Sequence, residues 1–199
     1  MKRIVFIFFT FSFLFAGTEF DKIKTQYFKS YDYEQMGKYS EAIKVLSPLY
    51  RRYPKGYTLN LRFGWLFFLD KKYNNAIKYY QKASLINTYA LDPKLGLIRI
   101  YLATSSYKKA QTTATSILKI DFYNYYANLY MIKTLIAERK YDIASKNLEK
   151  MLALYPTDVL FLEELLRIYK YTKNKGFKKL QGDILILDPN NIMARSVET

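Results

Sequence analysis

Tyr39, Tyr73, Tyr107 and Tyr141 follow one another at intervals of 34 residues, and alanine stands three positions after each: Ala42, Ala76, Ala110 and Ala144. Two residue types coinciding at one period in four copies mark an internal repeat. A repeat of this length is a single supersecondary unit whose apolar face stays open until a neighbour stacks on it. Other columns keep the same phase. Seven residues beyond each tyrosine stand Leu46, Tyr80, Ala114 and Leu148; ten beyond stand Leu49, Ala83, Ile117 and Met151. Fifteen beyond stand Pro54, Thr88, Phe122 and Pro156, and six before stand Tyr33, Phe67, Tyr101 and Leu135.

The spacing inside a unit is helical. Val45, Leu46 and Leu49 recur on one face, as do Leu162, Leu165, Leu166 and Tyr169. Asp92 before Pro93 reads as an N-cap followed by proline at the first helical position, and Thr157 or Asp158 after Pro156 repeats that logic. Alanine three after each tyrosine fits a point of close helix approach, where a larger side chain overpacks the hairpin at about 1–3 kcal/mol. The tyrosine ring fills the gap between units while its hydroxyl reaches the edge.

These residues are where the chain resembles the tetratricopeptide repeat family. The likeness is plainest in Gly37-Lys-Tyr39-Ser-Glu-Ala42 with Pro54, and in Phe63-Gly64-Trp65 through Tyr73-Asn-Asn-Ala76, Tyr80 and Ala83. The resemblance implies an all-α fold, a right-handed α-solenoid of stacked helical hairpins. With each tyrosine as position 17, the units run 23–56, 57–90, 91–124 and 125–158, preceded by a short lead-in, 18–22. A degenerate unit, 159–190, keeps Leu166 and Tyr169, but Lys175-Gly176-Phe177 stands in place of the Tyr-x-x-Ala pair and Leu187-Asp188-Pro189 closes it early. Residues 191–199 form a C-terminal tail. Gln26, Lys29 and Ser30 replace the apolar or glycine residues usual in the first unit, which therefore begins the array as a polar cap.

Composition excludes much chemistry. The chain of 199 residues has neither cysteine nor histidine, so disulfides, thiolate nucleophiles, Cys-ligated metals and His-based catalysis are ruled out. Glu163 and Glu164 are the nearest carboxylate pair, yet as helical neighbours they point about 100° apart and do not converge on one reacting atom. No glycine-rich phosphate loop or metal-spaced acidic cluster is present. The expectation is a protein that is not an enzyme and uses no cofactor and no metal.

Residues Met1–Gly17, MKRIVFIFFTFSFLFAG, carry Lys2 and Arg3 before thirteen residues that are apolar except for Thr10 and Ser12. As a helix that run spans about 20 Å, short of the ~30 Å hydrocarbon core, so it reads as a signal peptide with Ala16 and Gly17 at the cleavage point. Export to the periplasm or beyond is expected, with no stable membrane span once the signal is removed; an uncleaved anchor in the inner membrane is the alternative. The formal charge of +15 favours anionic partners, but the lysines are scattered and an exported protein rarely meets its own genome, so nucleic acid is not the expected partner.

In the resembled family the first helix of each unit lines a concave groove where ligands lie. Position nine of successive units is Tyr31, Trp65, Arg99, Lys133 and Arg167, and neighbouring first-helix positions add Tyr27, Arg62, Tyr130 and Lys170. Rings supply flat contact area and Arg pairs carboxylates bidentately, so this track suits a partner protein or peptide of the cell envelope. An acidic polysaccharide or an anionic membrane surface is the alternative ligand. Position nine holds no Asn in any unit, so the family's clamp for a terminal carboxylate is not matched.

Overall fold

Five short turns, each built around one left-handed residue, set the architecture. In the computed structural model the described residues are 15–196, with side chains from Glu19 onward, and every regular element among them is a helix. The chain divides after Ile86 into two compact units. The first contains α1 (Phe15–Gln35), α2 (Tyr39–Arg52), α3 (Tyr57–Leu69) and α4 (Tyr73–Ile86). The second contains α5 (Asp92–Ala103), α6 (Tyr107–Leu118), α7 (Tyr125–Ala137), α8 (Tyr141–Leu154), α9 (Val159–Thr172), α10 (Phe177–Leu187) and the short α11 (Ile192–Arg195). The expected signal, Met1–Gly17, lies outside the described residues apart from the backbone where α1 begins. Residues 18–22 belong to α1.

Gly37, Lys71, Ser105, Arg139 and Lys173 all have positive φ, between 53° and 70°, and they too are 34 residues apart. Each closes its hairpin in the same way. The amide of Gly37 donates to the Glu34 carbonyl and that of Lys38 to Tyr33; Lys71 and Lys72 donate to Phe68 and Phe67; Arg139 and Lys140 donate to Ile136 and Leu135. This is the Schellman arrangement, which satisfies the last helical carbonyls and reverses the chain within three residues. Only the first turn has glycine, which adopts this backbone freely. A side chain there costs roughly 1–2 kcal/mol. The degenerate unit keeps the phase: Lys173 is left-handed and Asn174 donates to Tyr169, but α10 starts at Phe177, two residues beyond the point the period predicts.

Second helices supply the invariant part of the core. Ala42, Ala76, Ala110 and Ala144 are fully buried, as are Leu46, Ala114 and Leu148, with Tyr80 nearly so. Side-chain volume is exchanged between facing columns. Gly64 on α3 faces Tyr80 on α4 so closely that a Cβ on Gly64 would lie 2.8 Å from the ring. In the equivalent columns of the second unit Ile98 shares a core with the small Ala114, whereas Ile132 and Leu148, both large, share another without such compensation. A ring on one helix thus needs a missing side chain on the other. Around Gly64, Phe63 stacks on Tyr79 with centroids 5.0 Å apart, and Phe67 stacks on Tyr79 at 5.2 Å.

Joints between hairpins depend on buried polar side chains. Asn60 Nδ2 donates to the Pro54 and Gly56 carbonyls, and Asn128 Nδ2 donates to those of Phe122 and Asn124. Asn128 Oδ1 also accepts from Lys150 Nζ, which sits 4.1 Å from the Phe122 ring centroid; burial lowers the pKa of that ammonium. Asp158 is the N-cap of α9, accepting from the Phe161 amide and the Tyr125 hydroxyl, whose pKa burial and the adjacent carboxylate push up. Asp92 departs from expectation. It is the first residue of α5, the cap position falls on Leu91, and no side chain caps that end; the Asp92 carboxylate still complements the helix dipole. Beyond Pro189, Asn191 caps α11 and Ala194 is buried with Leu162, Leu166 and Ile184.

Two stability experiments test this packing. Gly64→Ile is expected to destabilise the fold by about 1–3 kcal/mol, and the same change in a Tyr80→Ala background to cost far less, because the pair then copies Ile98 with Ala114. Urea titration of the four proteins measures the coupling, and additive effects would contradict the facing columns. Lys71→Gly is expected to raise stability by up to about 1 kcal/mol through relief of the left-handed backbone; an unchanged or lowered urea midpoint would count against that account.

Candidate functional site

First helices carry the polar groups, and their side chains are tied to one another at a constant offset. In the first unit Tyr31, 48% exposed, lies over the guanidinium of Arg62, which is 3.9 Å from the ring centroid. Arg62 is only 7% exposed. Its Nε and Nη2 donate to Ser30 Oγ at 3.3 and 3.0 Å, and its Nη1 pairs with Glu34. The other Glu34 oxygen accepts from Trp65 Nε1 at 2.6 Å, so one carboxylate holds both residues. Tyr27 packs against the core of this unit. Of the residues expected to make the first repeat a polar cap, Lys29 is exposed, but Ser30 is instead fully buried and its hydroxyl receives the guanidinium.

The second unit repeats the offset with other chemistry. Arg99 Nε donates to the Tyr130 hydroxyl at 2.5 Å, and Tyr130 stacks on Tyr126 with centroids 6.2 Å apart. Lys133 Nζ lies 3.6 Å from Glu164 Oε1, while Arg167 Nε donates to Glu164 Oε2 at 3.2 Å. Tyr31 with Arg62, Arg99 with Tyr130 and Lys133 with Glu164 are each 31 residues apart in sequence. Position nine of one first helix therefore meets position six of the next. The three-residue stagger is about 4.5 Å along a helix axis.

Glu164 is the most informative of these groups. It is 2% exposed, a buried carboxylate compensated by two cations that keep about two-fifths of their own side-chain surface, 38% for Lys133 and 41% for Arg167. Removing either cation would leave charge buried without full compensation, a costly state. Glu163 turns elsewhere, accepting from Asn191 Nδ2 at 2.6 Å, so the adjacent carboxylates do not act on a common point. Above Glu164 opens a cleft of about 730 Å³, lined chiefly by Lys133, Arg139, Tyr141, Glu164, Arg167 and Tyr171. Tyr141 and Tyr171 stack at its edge with centroids 5.7 Å apart and ring planes 16° apart.

Of the nine residues expected in the groove, Lys133 and Arg167 meet at this cleft, Arg99 joins Tyr130, and Tyr31 and Trp65 join Arg62. Lys170 is exposed on α9 and does not line the cleft. Glu34, Ser30, Arg139, Tyr141 and Tyr171 were not among the expected site residues. An acidic residue at position six, 31 residues after a cation at position nine, was the signal for Glu164. Among the described residues no acidic cluster is placed to hold a metal ion, and no helix is long and apolar enough to cross a membrane.

No protein-family model matches the chain, and no curated protein matches it in sequence. Solved structures do. A tetratricopeptide repeat protein from Parabacteroides merdae superposes with a TM-score of 0.72 at 17% identity, covering 88% of this chain and 70% of that one. A thermophilic TPR protein of Thermus thermophilus gives 0.71 at 12% identity, covering 87% and 95%. YrrB, described as a TPR protein with an unusual peptide-binding site, gives 0.60 at 13% identity, covering 86% and 89%. At such identities the likeness is one of fold, and the fold is the α-solenoid of tetratricopeptide repeat proteins.

Proposed function

We propose that this protein is a non-catalytic interaction scaffold of the cell envelope that holds a partner protein or peptide against its first helices. The observation that carries this reading is the repeated pairing of charged and aromatic side chains at one offset, Tyr31–Arg62, Arg99–Tyr130 and Lys133–Glu164. Each pair fixes a ring or a cation that remains partly exposed, so little side-chain entropy is left to lose when a ligand lands on it. Second helices, by contrast, give their alanine and leucine columns to the core. The likeness to YrrB supports a peptide as ligand, and the basic, apolar leader MKRIVFIFFTFSFLFAG supports export.

The test is crosslinking in intact cells, with a photoreactive residue placed at Arg99, at Ala137, which is exposed and lines the cleft without pairing to Glu164, or, as a control, at Glu149 on the exposed side of α8. The same envelope protein is expected at Arg99 and Ala137 and not at Glu149. Equal capture at Glu149, or none at the first-helix positions, would overturn the reading. A complex with an acidic polysaccharide would instead lose orders of magnitude in affinity between about 50 and 200 mM salt, whereas a ring-anchored peptide complex is expected to persist.

A further inference from the structure

The cleft over Glu164 has a charge balance that selects its ligand. Three cations, Lys133, Arg139 and Arg167, line it against one carboxylate. Glu164 is taken up by Lys133 and Arg167, whereas Arg139 is exposed and has no ion-pair partner among the described residues. The cleft is therefore two positive charges in excess. Its remaining lining is not basic: Ile136 and Ala137 line one part, and the stacked Tyr141 and Tyr171 stand at the edge, with Tyr171 58% exposed. A uniform polyanion needs a continuous row of cations, and this cleft interrupts its row with apolar wall and aromatic ring. Its volume of about 730 Å³ is that of a pocket holding several side chains.

Arg139 occupies the left-handed position of the α7–α8 turn, with φ of 60°, where Gly37 stands in the first hairpin. Glycine would serve the backbone better there. Lys71, Ser105 and Lys173 hold the same position in other hairpins, so the turn does not call for arginine; what sets Arg139 apart is that it lines a cleft already supplied with a cation from each of two first helices.

We infer that this cleft binds an extended peptide segment carrying two neighbouring carboxylates next to an aromatic residue, the carboxylates meeting Arg139 and the Lys133–Arg167 pair and the ring lying on Tyr171. Ligand binding at the first helices is the premise, and the inference adds the chemistry that one cleft selects. Glu164 is a positioning residue. It holds Lys133 and Arg167 at a fixed separation, so the cations are ordered before the peptide arrives.

Fluorescence anisotropy of the full chain tests it with three probes: a labelled Gly-Asp-Glu-Phe-Gly-Ser peptide, its Asn-Gln counterpart, and labelled alginate. The acidic peptide is expected to bind at least about tenfold more tightly than the amide peptide, as loss of charge-assisted contacts dictates. Arg139→Gly removes a ligand group while easing the backbone, so affinity should fall about tenfold with the melting temperature equal to or above the parent's. Tyr171→Ala should weaken the Phe peptide and leave a version with Ala in place of Phe unchanged. Equal binding of the acidic and amide peptides, an Arg139→Gly protein that binds as the parent does, or preference for alginate that Arg139→Gly abolishes would each overturn the assignment. Crosslinking at Arg99 separates the two readings. Partner capture there that survives Arg139→Gly, together with failed peptide binding, removes the cleft ligand and leaves the scaffold, whereas cleft binding without any captured partner does the reverse.

Discussion

A hairpin of two helices that must reverse within three residues needs one residue with positive φ, and that requirement sets the phase of everything else in this chain. Gly37, Lys71, Ser105, Arg139 and Lys173 meet it at one period, including the last copy, where the tyrosine and alanine marks have gone. Because the same two amides close the same two carbonyls each time, the first residue of the second helix and the alanine three beyond it enter the core at a repeatable height in four hairpins. Schellman closure is local, so each unit establishes its own register before any neighbour stacks on it.

With the phase set, the two helices of a hairpin divide the work. Second helices present short or closely fitted side chains, and where one bears a ring, as Tyr80 does, the facing first helix loses its side chain at Gly64. First helices bury one face in the same cores and present the other as a row of polar heads. Those heads cannot be independent, since each carboxylate is shared: Glu34 between Arg62 and Trp65, Glu164 between Lys133 and Arg167. Sharing satisfies the carboxylate oxygens and leaves Trp65, Lys133 and Arg167 partly exposed and oriented, while Arg62 is buried.

Much of this was legible in the sequence, for a steric reason. A column that admits only alanine, or only a residue that fits beside a neighbouring ring, repeats as identity or as compensated volume, and both patterns survive in Ala42, Ala76, Ala110 and Ala144. Left-handed turn positions tolerate several residue types at modest cost, so only Gly37 advertised its backbone, and the three residues between Lys173 and Phe177, two more than in the other hairpins, concealed where the fifth hairpin reverses. The pairing of heads was hidden differently. Helical spacing reports the faces of one helix at a time, whereas the contacts that order these side chains cross between helices at a separation of 31, not 34. At Asp92 an Asp-Pro start fits a cap and a first helical turn equally well, and one residue of shift decides between them.

The offset of 31 also explains why chemistry can vary along the row while geometry does not. Position six carries Arg62, Tyr130 and Glu164 in different copies, and position nine carries Tyr31, Arg99 and Lys133 opposite them. Stacking of an arginine on a ring, donation from an arginine to a phenol and an ammonium–carboxylate pair all close over similar distances, so exchanging one for another changes the charge presented without moving a helix. The columns that cannot vary are the buried ones. A solenoid built this way keeps its backbone under tight steric control and leaves its polar face open to change pair by pair, and the excess positive charge at Lys133, Arg139 and Arg167 is one local outcome of that freedom.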